Sequence, residues 1–277
     1  MNKKLPMSYG KILLGCFVAT VLFFLMIPTL MTIPMSISNT KFLVFPPKGF
    51  TLKWFNQFLT QAEWSAPVLL SLELAVLSSF VSLLLGFMAS LALVRGVIPG
   101  RRILQVFFIS PMMVPVIIIS VSVYGLFAKL HLIGTIPGLV LGHTILCVPF
   151  VILVITANLQ RFDMSLEMAA RNLGANAIKT FFYITIPLIK QGIAAAGIFC
   201  FIISLDELVL AMFLIGTKRL TLPIKMFSQI HFRLDPVVAA ASTVFVLASV
   251  AITVFSAVLG QDWKKKRKDK VDGFAGE

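Results

Sequence analysis

The chain has 277 residues, of which 58% are hydrophobic and 13% charged, and its 24 lysines and arginines against 11 acidic residues give a net charge of +13. A soluble domain carries about 25% charged residues, so this composition excludes an ordinary soluble fold and indicates an integral membrane protein. The basic residues lie mostly at the ends of apolar runs, where topology signals are found, which argues against nucleic acid as a partner.

Six apolar windows are each long enough to cross a bilayer, for which about 20 residues suffice. We therefore predict an all-α membrane protein with six transmembrane helices in one domain, residues 12–260. Residues 1–11 precede this domain, and a basic tail, 261–277, follows it. The predicted spans, in chain order, are 12–34, 66–94, 103–128, 137–157, 192–215 and 237–260.

The distribution of positive charge predicts the orientation of these spans. With the N-terminus inside, the inner segments carry 16 lysines and arginines and the outer loops carry 8. Because basic residues are retained on the cytoplasmic side, we expect both termini to be cytoplasmic. The first window is longer than the core of a signal peptide and no A-x-A site follows it, so we expect it to remain as a span.

Prolines interrupt two of the spans. Pro111 and Pro115 in SPMMVP predict a kink in the third span and Pro149 predicts one in the fourth, because each removes a backbone donor. The three cysteines each lie inside an apolar run and have neither zinc nor CxxC spacing, so we expect no metal site and no disulfide.

A polar segment, 158–190, separates the fourth and fifth spans and is predicted to face the cytoplasm. We predict a short helix over about 165–173, with Asp163 or Ser165 as its N-cap and Gly174 as its left-handed stop. Glu167 and Arg171 stand four residues apart in the order that favours an ion pair. A second helical piece then runs to Pro187, which marks the start of the fifth span.

The spacing within this segment is specific. Ala169 and Ala170 are followed by three residues and Gly174, and nine further residues lead to Ile184, Thr185, Ile186 and Pro187. This order resembles the signature loop of binding-protein-dependent ABC importer permeases, which reads E-A-A, three residues, G, nine residues, I-x-L-P. Ile186 replaces the leucine of that pattern, and Met168 replaces its glutamate.

Three other stretches extend the resemblance over nearly the whole chain. FPPKGFTLKWF, SPMMVP and SLDELV are similar to the spermidine/putrescine-type permeases, and specifically to their second, or C, membrane subunit. This resemblance implies a type I ABC importer fold in a bacterial inner membrane, with the short helix coupled to an ATPase. The residues it implies for that coupling are Glu167, Met168, Ala169, Ala170, Gly174, Ile184 and Pro187.

The resemblance also implies a set of partners. These are a second permease subunit in a heterodimer, two ATP-binding subunits and an extracytoplasmic substrate-binding protein. The chain itself has no G-x-x-x-x-G-K-[ST] loop, so we expect ATP to be bound by the partner subunits and the chain to hold no cofactor. HExxH and a nucleophile–His–acid cluster are also absent from the sequence, so we expect no enzymatic activity in this subunit.

Carboxylates inside predicted spans are candidates for the substrate pathway, because a bare charge in the membrane costs several kcal/mol. Asp206 is our first candidate, and Glu207 and Glu73 follow it. The alternative for each is an interhelical hydrogen bond or a salt bridge with the partner subunit. His143 is interpreted as a hydrogen-bonded structural residue, with a ligand role as the alternative.

Several alternatives remain open from the sequence. The favoured function is a permease subunit that imports small cationic solutes, most simply polyamines. The same architecture also suits an organophosphonate, ferric iron or an opine. From another class, a secondary transporter or channel would act without an ATPase, and segment 158–190 would then be an ordinary amphipathic connector.

Overall fold

A computed structural model of the protein describes residues 9–217, 219–232, 235–248 and 250–251. These residues are largely helical, with one isolated bridge between Ser38 and Phe50. The helices are α1 (Tyr9–Ser36), α2 (Lys53–Thr60), α3 (Ala62–Arg95), α4 (Arg101–Ile109), α5 (Val116–Lys129), α6 (Ile136–Gln160), α7 (Ser165–Asn172), α8 (Ala177–Thr180), α9 (Ile186–Asp206), α10 (Val209–Leu214), α11 (Leu222–Phe232) and α12 (Val237–Ala248).

The chain divides into two compact units. One comprises Met1–Gln61 with Ser228–Glu277, and the other is Ala62–Phe227. The second unit contains α3 to α10 and all the predicted coupling and pathway residues.

Close helix packing forms the core of the Ala62–Phe227 unit, where α3, α6 and α9 lie against one another. A Cβ atom on Gly86 would come within 2.6 Å of the Val151 side chain, so α3 and α6 approach more closely there than any larger residue allows. Cys147 on α6 and Cys200 on α9 are buried free thiols, and each directs its sulfur at the other's carbonyl oxygen, at 3.6 and 3.7 Å. Small residues at such contacts are typical of membrane helices.

Four helical segments are long and apolar enough to span a membrane: Leu13–Ser36, Ala62–Arg95, Ile136–Gln160 and Ala177–Asp206. They correspond to the predicted first, second, fourth and fifth spans. The predicted sixth span contains a helix over Val237–Ala248, and residues 249 and 252–260 of this span lie outside the described residues, as do most of the predicted N-terminal segment and the basic tail.

The third predicted span is a bent pair of helices. Arg101–Met113 and Val116–Lys129 meet at an angle of 103°, and a 3₁₀ turn, Ser110–Met113, lies at the bend. Pro111 and Pro115 lie at this break, as the sequence predicts, because neither has an amide hydrogen to continue a helix. α6 continues through Pro149 as one helix, so there is no break there, and the kink predicted at Pro149 stays a prediction.

The fifth predicted span differs in both boundaries. Helix continues from α8 through a π-helical turn, Phe181–Thr185, into α9, so Pro187 does not separate two pieces as predicted. In this turn the Ile186 amide donates to the carbonyl of Phe181, and the wider turn accommodates the missing amide of Pro187. At the other end α9 stops at Asp206, and residues to Leu214 form the separate helix α10.

Candidate functional site: a coupling loop and the pathway carboxylates

The loop 158–190 lies at the end of the Ala62–Phe227 unit where α3 and α6 end. This is the end that the charge count predicts to be cytoplasmic, and it is called the inner end below. The short helix predicted over about 165–173 is observed as α7, Ser165–Asn172, so local signals placed it correctly.

Asp163 and Gly174 lie just outside the two ends of α7, and Met164, rather than the predicted Asp163 or Ser165, occupies its N-cap position. The Ser165 amide donates to the Asp163 carboxylate over 2.9 Å, and this hydrogen bond lowers the pKa of the exposed Asp163 side chain. Gly174 has φ of +88°, the left-handed conformation predicted for the stop, and the Ala175 amide closes the turn on the Ala170 carbonyl at 3.0 Å. The helix is therefore fixed by its own sequence.

The outward side of α7 and its C-terminal turn is apolar and exposed. Met168 is 58% exposed, Leu173 is 89% exposed, and Ala169 is also exposed. Leu166, also exposed, adds to this apolar surface. Met168, at the motif's glutamate position, thus presents a flexible apolar side chain where the pattern has a charge.

Glu167 lies on the opposite side of α7 and is only 3% exposed. One of its carboxylate oxygens, Oε1, accepts from Arg95 Nη2 at 2.5 Å and also from the Thr185 hydroxyl. The predicted pairing of Glu167 with Arg171 is therefore wrong. The rotation of the helix turns Glu167 toward the end of α3 rather than along its own exposed surface.

Arg95 is the last residue of α3 and joins several elements at the inner end. Its guanidinium also lies over the Phe162 ring, 5.7 Å from the centroid, in the connection between α6 and α7. Thr185, the third partner, is the last residue of the π turn before α9. We call Arg95, Glu167 and Thr185 the inner triad; it ties α7 to both α3 and the start of α9.

The inner triad also joins the two halves of the loop motif. Glu167 precedes the alanine pair, whereas Thr185 lies between Ile184 and Pro187 at the motif's far end. Their hydrogen bond brings these ends together, although the two residues are 18 positions apart in the sequence. Ile184, in the π turn, is partly buried, and Pro187, in the first turn of α9, is exposed.

The three pathway candidates lie in different settings. Asp206 is exposed at the end of α9, where the helix breaks before α10. Its neighbour Glu207 is partly buried and accepts the Leu210 amide at 2.6 Å, which satisfies a free donor in the first turn of α10. The sequence placed both residues inside a continuous span; the break at Asp206 instead gives Glu207 a capping role.

Glu73 is exposed on α3 and lines an open cavity of about 670 Å³ at the end of the unit opposite the loop 158–190. Arg219 and the buried Lys225 also line this cavity, and Lys225 forms an ion pair with Glu63. Asp206 and Glu207 are not among its lining residues, so the structure does not bring the three carboxylates together in one site.

His143 is buried on α6, and its Nδ1 atom lies 2.7 Å from the Ser204 hydroxyl on α9. This contact agrees with the structural interpretation of His143. It joins the same two helices that the cysteine pair joins.

Sequence reasoning missed Arg95, Thr185 and the Glu63–Lys225 pair. Arg95 was counted only as a topology signal at the end of a span. A basic residue at the end of one helix and a glutamate in a helix at the same membrane face give a weak signal of pairing, but their separation of 72 positions leaves many other combinations.

Comparison with known proteins identifies the family. The family model for "Binding-protein-dependent transport system inner membrane component" matches residues 82–265, about two thirds of the chain. The spermidine/putrescine transport system permease protein PotC of Escherichia coli K12 is 28% identical over 256 residues, covering 92% of this chain and 97% of PotC. The putrescine permease PotI of the same strain is 34% identical over 241 residues, covering 84% of this chain and 85% of PotI.

A solved structure supports the fold. A bacterial ABC transporter involved in the import of the acidic polysaccharide alginate contains a chain that matches with a TM-score of 0.68 and 18% identity, covering 92% of this chain and 98% of that chain. The loop motif, the apolar helices and these similarities lead to one conclusion: the chain belongs to the binding-protein-dependent transport system inner membrane components, the membrane permeases of ABC importers.

Proposed function

We propose that the chain forms half of the translocation pathway of an ATP-driven importer of polyamines such as spermidine and putrescine. The similarity to two polyamine permeases over most of the chain carries this proposal. The partners would be a second permease in a heterodimer, two ATP-binding subunits and an external binding protein. The complex would lie in a bacterial inner membrane with both termini of this chain cytoplasmic.

The exposed apolar surface at Met168, Ala169 and Leu173 supports a docking role for α7. The ATPase would hold this surface, and the inner triad would pass its movement to α3 and α9. A secondary transporter acting alone would not need such a surface. Purified complex that imports substrate without ATP would favour that alternative.

Asp206 supports a cationic substrate. It is an exposed carboxylate at a helix break in a chain of apolar spans, and among the described residues it makes no ion pair. A polyamine passing this point would exchange part of its water shell for the carboxylate. Arg219 beside Glu73 favours the rival, an anionic solute such as an organophosphonate.

Replacement of Asp206 with asparagine tests the substrate. A charged hydrogen bond contributes about 1.5–3 kcal/mol, so Asp206→Asn is expected to raise the KM for spermidine uptake by about tenfold or more, with normal expression and assembly. Glu207→Gln is the matched comparison, since its amide oxygen still accepts from Leu210, and uptake is expected to remain near normal.

Uptake of labelled spermidine in cells that carry the complete transporter gives the readout. Unlabelled putrescine is expected to compete, whereas an organophosphonate, a ferric complex and an opine are not. Normal uptake by Asp206→Asn removes that residue from the pathway, and competition by one of the other solutes instead of putrescine overturns the polyamine proposal.

A further inference from the structure

A polar cavity of about 350 Å³ lies at the inner end of the Ala62–Phe227 unit, apart from the inner triad. Its polar lining comes from Arg101, Arg102 and Gln105 on α4 and from Thr156 and Gln160 on α6. Each of these side chains can donate a hydrogen bond, and no carboxylate is among the lining residues. The cavity therefore has the chemistry of an anion site.

The N-terminus of α4 adds to this positive character. The helix begins at Arg101 after Gly100, which has no side chain to cap it and adopts φ of +72°. No acidic residue lies in the first turn. A helix N-terminus without a carboxylate favours a bound anion, because the backbone dipole leaves partial positive charge there.

Thr156 gives an independent indication of a ligand. It is 96% buried, lines the cavity, and its hydroxyl has no hydrogen-bond partner among the described residues. A buried hydroxyl without a partner is costly, and a bound oxyanion would satisfy it.

A second, apolar groove of about 490 Å³ lies between the same three helices. Leu85 of α3, Phe107 and Phe108 of α4, and Ile145 and Val148 of α6 line it. On α3, Leu85 of the groove is eight residues before Leu93 of the polar cavity. On α6, Val148 of the groove is eight residues before Thr156 of the polar cavity. At 1.5 Å per residue both offsets are about 12 Å, away from the inner end.

We propose that this pair of sites binds an anionic phospholipid. Its phosphate would lie in the polar cavity between Arg101, Arg102 and Thr156, and an acyl chain would extend along α4 into the groove at Phe107 and Phe108. The order of the two sites matches a lipid of the inner leaflet, whose headgroup lies at the membrane face and whose chains point inward. Basic pockets between membrane helices on the cytoplasmic side bind such headgroups.

The apolar groove distinguishes a phospholipid from a free anion, because only the phospholipid has an acyl chain to fill it. A soluble phosphate would bind the guanidinium groups, but the apolar groove, about 12 Å away along the helices at 1.5 Å per residue, would add nothing to its affinity. A lipid uses both, so its affinity depends on headgroup charge and on acyl-chain length.

Lipid titration of the full chain, purified in neutral detergent and followed by native mass spectrometry, tests the proposal. Long-chain phosphatidylglycerol is expected to bind more tightly than phosphatidylcholine of the same chain length. In the double variant Arg101→Gln/Arg102→Gln its affinity is expected to fall by about ten- to thirtyfold, since each arginine contributes about a fivefold factor near a membrane surface. Thr156→Val, which keeps the side-chain shape, is expected to lose affinity several-fold.

The control replaces two other basic residues at the inner end, Arg171→Gln/Lys179→Gln, and is expected to change affinity less than about twofold. Dihexanoyl phosphatidylglycerol and inorganic phosphate are expected to bind much more weakly than the long-chain lipid. The proposal is overturned if phosphatidylcholine binds equally, if inorganic phosphate or the short-chain lipid matches the long-chain lipid, or if Thr156→Val and the arginine variant retain full affinity.

Discussion

Replacement of Arg95 with alanine is expected to uncouple ATP hydrolysis from import. The change leaves the Glu167 carboxylate, which is 3% exposed, with only the Thr185 hydroxyl as a partner. Removal of one member of a buried ion pair costs about 3–5 kcal/mol, enough to drive Glu167 out toward solvent and free α7 from α3. Coupled uptake should then fall by more than about tenfold.

The measurement is the ratio of substrate imported to ATP hydrolysed, in proteoliposomes that contain equal amounts of assembled complex. Arg95→Lys keeps the charge and should retain part of the coupling. The double variant Arg95→Glu/Glu167→Arg, which exchanges the two charges, should have a higher coupling ratio than Arg95→Glu or Glu167→Arg alone. If the ion pair only stabilises the fold, its removal would lower the yield of assembled complex without changing this ratio. A normal ratio in Arg95→Ala would exclude the inner triad from coupling.

Gly174 gives the second large effect. Its φ of +88° lies in the left-handed region, and a Cβ atom there would meet nothing within 4 Å, so the cost of a side chain comes from the backbone alone. For a β-branched residue this conformation costs at least about 1–2 kcal/mol, which changes the population of the native turn by about 5–30-fold. Gly174→Val should therefore reorient Leu173 and disrupt assembly with the ATPase or coupled uptake.

Gly174→Asn is the matched control, because asparagine adopts the left-handed conformation at much lower cost. It should assemble and import nearly as well as the unchanged chain. Co-purification of the ATPase and uptake of labelled substrate give the two readouts. Equal behaviour of the valine and asparagine variants would show that the turn geometry at Gly174 does not matter for coupling.

Local signals in the sequence predicted α7 well. Asp163 at its start and Gly174 at its end are next to the helix they limit, so their effects do not depend on the rest of the fold. The long apolar segments were equally predictable, because bilayer thickness sets their length.

Features that depend on distant contacts could not be predicted in the same way. Whether Glu167 meets Arg171 or Arg95 depends on how α7 is rotated against α3, and no local pattern contains that angle. The prolines mark where the helices are disturbed, but not whether the chain responds with the π turn before Pro187 or with the 103° bend between Arg101–Met113 and Val116–Lys129. Glu207 is a pathway candidate because it lies in a predicted span, and no glycine or proline in the sequence marks the break after Asp206 that makes it a cap of α10.

Docking of α7 on an ATPase through its outward apolar surface can be tested by site-specific photocrosslinking, with a benzophenone amino acid placed at Met168 or Leu173 in the assembled transporter. The same group at Leu220, which is exposed at the opposite end of the unit, serves as the control. We predict crosslinks to the ATPase from Met168 and Leu173 and none from Leu220. An active complex in which neither α7 position crosslinks to the ATPase, or in which Leu220 does so instead, would contradict the account.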